Sequence, residues 1–153
     1  MNRFGAAAVA LALLAGCGRE ASVPSAQGHA AGSETLRSGA IAMHATAVQT
    51  DKLPEQVVRR YGAQRDARTV LLVLSLRLGE DADAKALTAQ RVEATVTDLL
   101  GRKQTLAMRE VRDGELVDYV GTAQLTPPDT LRFEVAMSGE QGRHVMKFNR
   151  DFF

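Results

Sequence analysis

Alternation of apolar and polar residues is the feature that most restricts how this chain folds. In residues 69–78, the side chains of Val70, Leu72, Leu74 and Leu76 alternate with a second set that is apolar only in its first half. Successive side chains of a β-strand point to opposite faces of a sheet, so this period of two predicts strands rather than helices. The pattern predicts seven strands, at residues 39–48, 69–78, 91–99, 103–112, 115–125, 130–138 and 143–152.

Turn-forming residues separate these segments at regular intervals. Asp113-Gly114 suits a tight hairpin because both central positions of a type I′ turn have positive φ. Pro127-Pro128 interrupts backbone pairing between two further strands. Seven short strands with this spacing predict an all-β fold, an immunoglobulin-like antiparallel β-sandwich, with a small closed barrel as the alternative.

One short helix is predicted at residues 53–62, between the first two strands. A proline and a glutamate lie near its start, two arginines lie near its end, and a glycine follows. Each of these residues is typical of its position in a helix. We expect the helix and the seven strands to form a single domain of residues 34–153.

Residues 1–16 resemble a bacterial signal peptide. Arg3 supplies a positive charge, and residues 6–15 form an uncharged apolar run that is too short to span a bilayer. The run ends at Leu14-Ala15-Gly16-Cys17, which resembles the lipobox of bacterial lipoproteins, in which the cysteine is lipidated and becomes the first residue after cleavage. We therefore predict lipidation at Cys17, followed by a flexible tether that ends at residue 33.

The residue after the cysteine bears on where such a lipoprotein resides. Aspartate at that position is the inner-membrane retention signal of enteric bacteria, and this chain has Gly18 instead. We expect a location in the cell envelope, in the outer membrane with the domain facing the periplasm. The membrane is then one partner, through Cys17, and another envelope protein or the cell wall is the expected second.

The composition argues against several classes of function. Cys17 is the only cysteine, so its lipidation leaves no thiol for a disulfide, a zinc–thiolate site or a nucleophile. The 19 basic and 18 acidic residues balance once Arg3 is removed with the signal peptide, so there is no basic field for nucleic acid. No nucleophile elbow or phosphate-binding glycine loop is present. We predict a protein without a cofactor, a nucleic-acid partner or enzymatic activity.

Copper or another soft metal is the main alternative. His44, His144 and Met146 supply imidazole and thioether groups, which suit copper in an oxidising compartment. His144 and Met146 are two residues apart and would share a face of one strand. Met146 is also in phase with Phe148, which indicates a core position, and His44 falls on the opposite face of its own strand.

The predicted helix and its flanking loop form the best candidate for an interaction surface. Arg59, Arg60, Tyr61 and Arg65 cluster around the helix end, where they could meet an acidic partner. Basic residues also stabilise the C-terminal end of a helix, which is the structural alternative. The segment is the one predicted insertion that is not β-structure, and loops on rigid scaffolds often carry function.

Several short motifs, in order, resemble a family of exported proteins of Gram-negative bacteria, domain of unknown function 4426. The motifs are Tyr61-Gly62-Ala63-Gln64-Arg65, Asp98-Leu99-Leu100-Gly101, Arg109-Glu110-Val111-Arg112-Asp113-Gly114 followed by Tyr119, Thr130-Leu131-Arg132-Phe133, and Phe148-Asn149-Arg150-Asp151-Phe152-Phe153. The resemblance covers most of residues 40–153. It implies a periplasmic β domain of uncharacterised function, and it carries over no catalytic or ligand residues.

These observations lead to one main expectation and two alternatives. The main expectation is a non-enzymatic binding or interaction module held in the cell envelope by a lipid. A metal-handling protein would need His144, Met146 and a third ligand to converge, and an enzyme would need a histidine and a carboxylate in one concave pocket.

Overall fold

Two β-sheets packed face to face form the domain. The computed structural model describes residues 32–79 and 84–153, which contain ten strands, a 3-10 turn and one short α-helix. The helix α1 is Glu55–Arg60, and the 3-10 turn before it is Thr50–Lys52. The strands are β1 (Ser33–Ser38), β2 (Ile41–Gln49), β3 (Thr69–Leu78), β4 (Lys85–Leu87), β5 (Arg91–Thr97), β6 (Lys103–Thr105), β7 (Arg109–Asp113), β8 (Leu116–Gln124), β9 (Asp129–Gly139) and β10 (Gly142–Phe152).

All the strand pairs are antiparallel. Sheet A has the strand order β1-β2-β3-β8-β7, with the short β4 also paired to β3. Sheet B has the strand order β10-β9-β5-β6. The predicted fold class, an all-β antiparallel sandwich with one short helix, is confirmed.

The alternating side chains of both sheets fill a shared apolar core. Met43 and Leu74 of sheet A, and Phe133 and Met137 of sheet B, are almost wholly inaccessible to solvent. The rings of Phe133 and Phe148 stack, with their centroids 4.8 Å apart and their planes 7° apart. Burial of a large apolar side chain contributes about 1.5–3 kcal/mol, so this core is the main source of stability.

Strand β1 was not among the predicted strands. Ser33–Ser38 pairs only with β2, and Leu36 is its one apolar residue. An edge strand is held by backbone hydrogen bonds along one side, so it needs no alternating pattern. The helix lies between the two strands predicted to flank it, but these are β2 and β3 because β1 precedes them.

The segment predicted as one strand at residues 103–112 is two strands in different sheets. Lys103–Thr105 pairs with β5 in sheet B, whereas Arg109–Asp113 pairs with β8 in sheet A. Between them, Leu106 is buried and its amide donates to the Ala94 carbonyl, 2.9 Å away. The chain crosses between the sheets here, and this split, together with the unpredicted β1 and the short β4, gives ten strands where about seven were predicted.

Tyr119 links sheet A to the connection between β4 and β5 through its hydroxyl. The side chain is buried, and its oxygen accepts a hydrogen bond from the Ala89 amide at 2.8 Å. The same hydroxyl lies 3.2 Å from the Ala89 carbonyl and 3.1 Å from a carboxylate oxygen of Glu110. Burial is the largest influence on the tyrosine and raises its pKa, so the hydroxyl stays protonated and can donate.

The predictions for the N-terminal region concern residues outside the described part of the chain. These are the signal peptide at residues 1–16, the lipidated Cys17 and the tether as far as residue 31. The tether was predicted to include residue 33, but Ser33 begins β1, and the Gly32 carbonyl accepts a hydrogen bond from the Ala47 amide. Within residues 32–79 and 84–153, no helix has the length and hydropathy required to cross a bilayer.

Candidate functional site

The outer face of sheet A, which points away from the shared core, is partly covered by the segment around α1. Leu71 and Val120 lie on this face, yet each is only 2% exposed. Val58 on the helix is equally buried. The segment therefore adds a small apolar layer outside the sandwich, and it leaves the rest of the face open.

Polar contacts at the end of the helix hold it against β7 and β8. The Tyr61 hydroxyl donates to a carboxylate oxygen of Asp118 at 2.9 Å. The Arg109 guanidinium donates to the Tyr61 carbonyl, and Gly62 has φ +53°. A Cβ at Gly62 would lie 2.9 Å from the end of the flexible Arg109 side chain, which can shift, so the positive φ is what favours glycine here.

The Tyr61 hydroxyl is held in place by its hydrogen bond, and its surroundings keep it protonated. Burial and then the hydrogen bond to Asp118 raise its pKa above the ordinary value. The hydroxyl is consequently protonated throughout the neutral range and serves as a hydrogen-bond donor. The Arg60 guanidinium lies over the ring, 5.5 Å from its centroid.

The four residues predicted as an interaction surface all make contacts within the domain. Arg59 pairs with Glu55 at 2.5 Å, and Arg60 pairs with Asp113 at 2.8 Å. Tyr61 binds Asp118 as described, and Arg65 donates to the Asp51 carbonyl at 2.6 Å. The structure brings Arg60 and Tyr61 together but places Arg65 beside the 3-10 turn at the start of the segment. Arg60 and Tyr61 thereby hold the end of the helix against β7 and β8, and the interaction surface formed by these four residues stays a prediction.

An apolar groove runs between the helix and the open part of sheet A. Its volume is about 180 Å³, and hydrophobic side chains dominate its walls. The strands contribute alternate residues from the outer face, and the helix segment contributes the opposite wall. We call this feature the apolar groove; its lining residues are Thr46, Val48, Leu53, Val57, Tyr61, Leu71 and Val73.

A polar cavity of about 330 Å³ lies further along the same face. We call it the basic cavity because Arg37, His44 and Arg77 line it, together with Ser75. The His44 Nδ1 atom is 3.0 Å from the Thr35 hydroxyl. No carboxylate of residues 32–79 and 84–153 is among its lining groups; residues 80–83, which include three acidic residues, are outside the described part.

Sequence reasoning did not single out Ser75, Arg77 or Arg37 as site residues. The sequence did carry a signal for Ser75 and Arg77, because after Thr69 they are the only polar residues of β3 and they have the opposite phase to Leu74 and Leu76. Arg37 could not be found in this way because β1 was not predicted.

The three metal candidates occupy two separate places. His44 lies on the outer face of sheet A, whereas His144 and Met146 point into the sandwich from β10 and are 8% and 6% exposed. The His144 Nε2 atom is 3.2 Å from the Gln141 carbonyl. Met137, which was not predicted as a candidate, is the direct cross-strand partner of His144. In the described part of the chain, no three His, Cys, Asp or Glu side chains converge as a metal site.

Comparison with known proteins gives the family and the fold. The sequence profile described as domain of unknown function DUF4426 matches residues 35–153. A solved DUF4426 family protein from Pseudomonas aeruginosa PAO1 is 19% identical with a TM-score of 0.64, over 80% of this chain and 95% of that one. No curated protein matches the sequence.

A second solved structure is similar at a lower level. It is a copper-bound variant of FetP from uropathogenic Escherichia coli strain F11, with a TM-score of 0.50 and 10% identity. The alignment covers 80% of this chain and 90% of that one, and at this identity it shows a shared fold. Because the family profile spans well over half of the sequence, the protein belongs to the DUF4426 family.

Proposed function

We propose that this protein is a non-enzymatic binding module of the cell envelope. In this proposal, acyl chains on Cys17 anchor it in the outer membrane, and the domain faces the periplasm. It binds its ligand on the outer face of sheet A. The observation that carries the proposal is that one open sheet face holds an apolar groove and, beside it, a basic cavity.

The apolar groove and the basic cavity are neighbours by strand geometry. His44 of the cavity and Thr46 of the groove are two residues apart on β2, and Ser75 and Val73 are two residues apart on β3. Residues at this spacing lie on the same face of a sheet, about 7 Å apart. A single ligand that lies along these strands can therefore reach both features.

The positive charge of Arg77 indicates the chemistry of the polar group that the ligand places in the basic cavity. Arg77 is half-buried, and among the described residues no carboxylate forms an ion pair with it. A guanidinium binds a carboxylate through paired, charge-assisted hydrogen bonds. We infer a ligand in which an apolar group is joined to a carboxylate, as in a fatty acid or in the C-terminal residue of a peptide from an envelope protein or the cell wall.

Replacement of Arg77 by glutamine should weaken carboxylate binding at least about tenfold, since a hydrogen bond to a charged group contributes roughly 1.5–3 kcal/mol. Titration calorimetry with octanoate measures this on the chain from residue 18 onward. Octanol, which lacks the carboxylate, should bind weakly and equally to both chains. The matched control is Arg132→Gln on the outer face of sheet B, which should leave the octanoate affinity unchanged.

A second titration distinguishes the two sources of the carboxylate. A fatty-acid site binds octanoate better than the capped dipeptide N-acetyl-alanyl-leucine, whereas a peptide site has the opposite preference. The proposal is wrong if neither compound binds, or if Arg77→Gln binds both as well as the wild-type chain does.

A soft-metal site is the second candidate, and the neighbourhood of His144 favours it. Met137 is opposite His144, and Met146 is on the same face of β10, so an imidazole and two thioethers are adjacent. This donor set suits copper(I), which prefers soft ligands, and the structurally similar FetP variant is described as copper-bound. All three side chains are buried, so solvent is largely kept from the donors.

Replacement of His144 by alanine should reduce copper(I) affinity at least about tenfold if these residues form a site. Competition with bathocuproine disulfonate measures the affinity, and Met137→Leu should weaken it as well. Met43→Leu is the matched control because Met43 is a buried methionine of the other sheet. Equal affinities in His144→Ala and the wild-type chain would exclude the site.

A further inference from the structure

The end of the sandwich at which the described chain begins carries three highly exposed apolar side chains. Leu99 is 58% exposed, Leu100 is 79% exposed and Phe153 is 84% exposed. Leu78 and Leu116, at the opposite end, are exposed to only 39% and 42%. Solvent exposure of single leucines is ordinary, but the three most exposed large apolar residues described here share one end.

Hydrogen bonds and strand register place these residues together. The Leu99 amide donates to a carboxylate oxygen of Asp129 at 3.2 Å. Asp129 is the cross-strand partner of Phe152, which precedes Phe153. The three apolar side chains therefore lie near the start of β9, with Leu99 and Leu100 in the turn after β5 and Phe153 just after β10. We call this part of the molecule the entry end.

The start of β1 is at the same end. Arg150 near the end of β10 forms an ion pair with Glu34 in β1, with the two atoms 3.0 Å apart. Ser33 is the first residue of β1, and the residues before Gly32 lead back to Cys17. The polypeptide that connects the domain to the anchor of the proposed function therefore joins it at the entry end.

The turn that presents Leu99 and Leu100 is braced. Asp98 is buried, and its carboxylate accepts hydrogen bonds from the Arg102 amide at 2.8 Å and from the Arg102 guanidinium at 2.5 Å. Burial opposes ionisation of Asp98, but these bonds outweigh it and lower its pKa, so the carboxylate is charged at neutral pH. The two leucines thus lie on a fixed tip.

The tether is short compared with the length of the domain, which favours membrane contact at the entry end. The tether of the proposed function has 14 residues, between Cys17 and Gly32, and a flexible coil of that length has an r.m.s. end-to-end distance of about 20 Å. The 11-residue strand β10 runs the length of the domain, about 36 Å at 3.3 Å per residue. If the opposite end of the domain contacted the membrane, the tether would have to extend back along the whole length of the domain to reach the lipid.

We propose that the entry end rests on the phospholipid surface, with Leu99, Leu100 and Phe153 inserted at the headgroup boundary. The orientation rests on the proposed lipid anchor at Cys17. Apolar side chains on a braced turn bind an interface by burying area that water would otherwise cover. In this orientation the strands of sheet A point away from the membrane surface, so the apolar groove and the basic cavity on its outer face remain open to the periplasm.

Site-specific fluorescence on the lipidated chain tests this orientation. The lipid occupies the thiol of Cys17, so Leu100→Cys and Phe153→Cys each introduce one thiol for an environment-sensitive nitrobenzoxadiazole label. Leu116→Cys is the matched control, because it replaces an exposed leucine at the opposite end. The chains are reconstituted in vesicles of phosphatidylethanolamine and phosphatidylglycerol, and a spin-labelled lipid serves as the quencher.

Emission from labels at 100 and 153 should rise several-fold on vesicles and be quenched by the spin-labelled lipid, whereas the label at 116 should do neither. Labels at 100 and 153 that behave like the one at 116, on protein that floats with the vesicles, would overturn the orientation and leave the anchor intact. Protein that does not float with the vesicles would overturn the anchor, and the orientation with it.

Discussion

If the proposed lipid anchor is correct, replacement of Cys17 by serine should abolish both the proposed acylation and the proposed outer-membrane location. A serine has no thiol, so it cannot form the thioether through which the lipid is attached. Each buried methylene of an acyl chain contributes about 0.8 kcal/mol, which makes anchoring by several chains nearly permanent and its loss all-or-none. Labelling with an alkyne fatty acid, followed by mass spectrometry of the membrane fraction, measures both effects.

Gly18→Asp is the matched control for this variant. It keeps the cysteine, so acylation should be unchanged, and it introduces the residue that retains enteric lipoproteins in the inner membrane. We expect the labelled protein to move from the outer to the inner membrane fraction. A serine variant that still incorporates the fatty acid would show that Cys17 is not the attachment site.

Phe133→Ala should cost about 3–5 kcal/mol of the free energy of unfolding, the largest effect expected of one substitution in the core. Phe133 is 2% exposed and stacks on Phe148, so its removal loses both the buried area and the ring contact and leaves a cavity. Domains of this size are stable by only about 5–15 kcal/mol, so the variant should be partly unfolded at moderate urea concentrations.

Urea denaturation followed by circular dichroism measures the loss, with the chain from residue 18 onward as the reference. Arg132→Ala is the control, since its exposed side chain neighbours Phe133 on β9 and should change the stability by less than about 0.5 kcal/mol. Equal stability of Phe133→Ala and the wild-type chain would contradict the description of a single shared core.

The fold class followed from the sequence because alternation is a property of each buried strand by itself. The pattern in β3, β5 and β9 indicated which side chains face the core, and Leu72, Val96 and Phe133 do so. Two features depended on partners that a periodic pattern cannot reveal. The edge strand β1 is held by its pairing with β2. The crossing of the chain between the sheets at Leu106 depends on β5, which pairs with the strand before it, and on β8, which pairs with the strand after it.

The candidate site was less accessible to sequence reasoning for a related reason. The segment around Tyr61 was recognised as unusual and its arginines were interpreted as an interaction surface, which stays a prediction. The sequence did not reveal that Arg59 and Arg60 form ion pairs within the domain. The basic cavity combines Arg37 of β1 with His44 of β2 and Arg77 of β3. Only the register of three strands brings these residues together, and register is a property of the folded sheet.

The most direct test of the central claim, that ligand binds on the outer face of sheet A, is to map octanoate binding by amide NMR shifts. The claim predicts that the largest shifts are those of Thr46, Val57 and Val73, around the apolar groove, with smaller changes at Arg77. Shifts concentrated at Met137 and His144, between the sheets, or along the outer face of sheet B would contradict it.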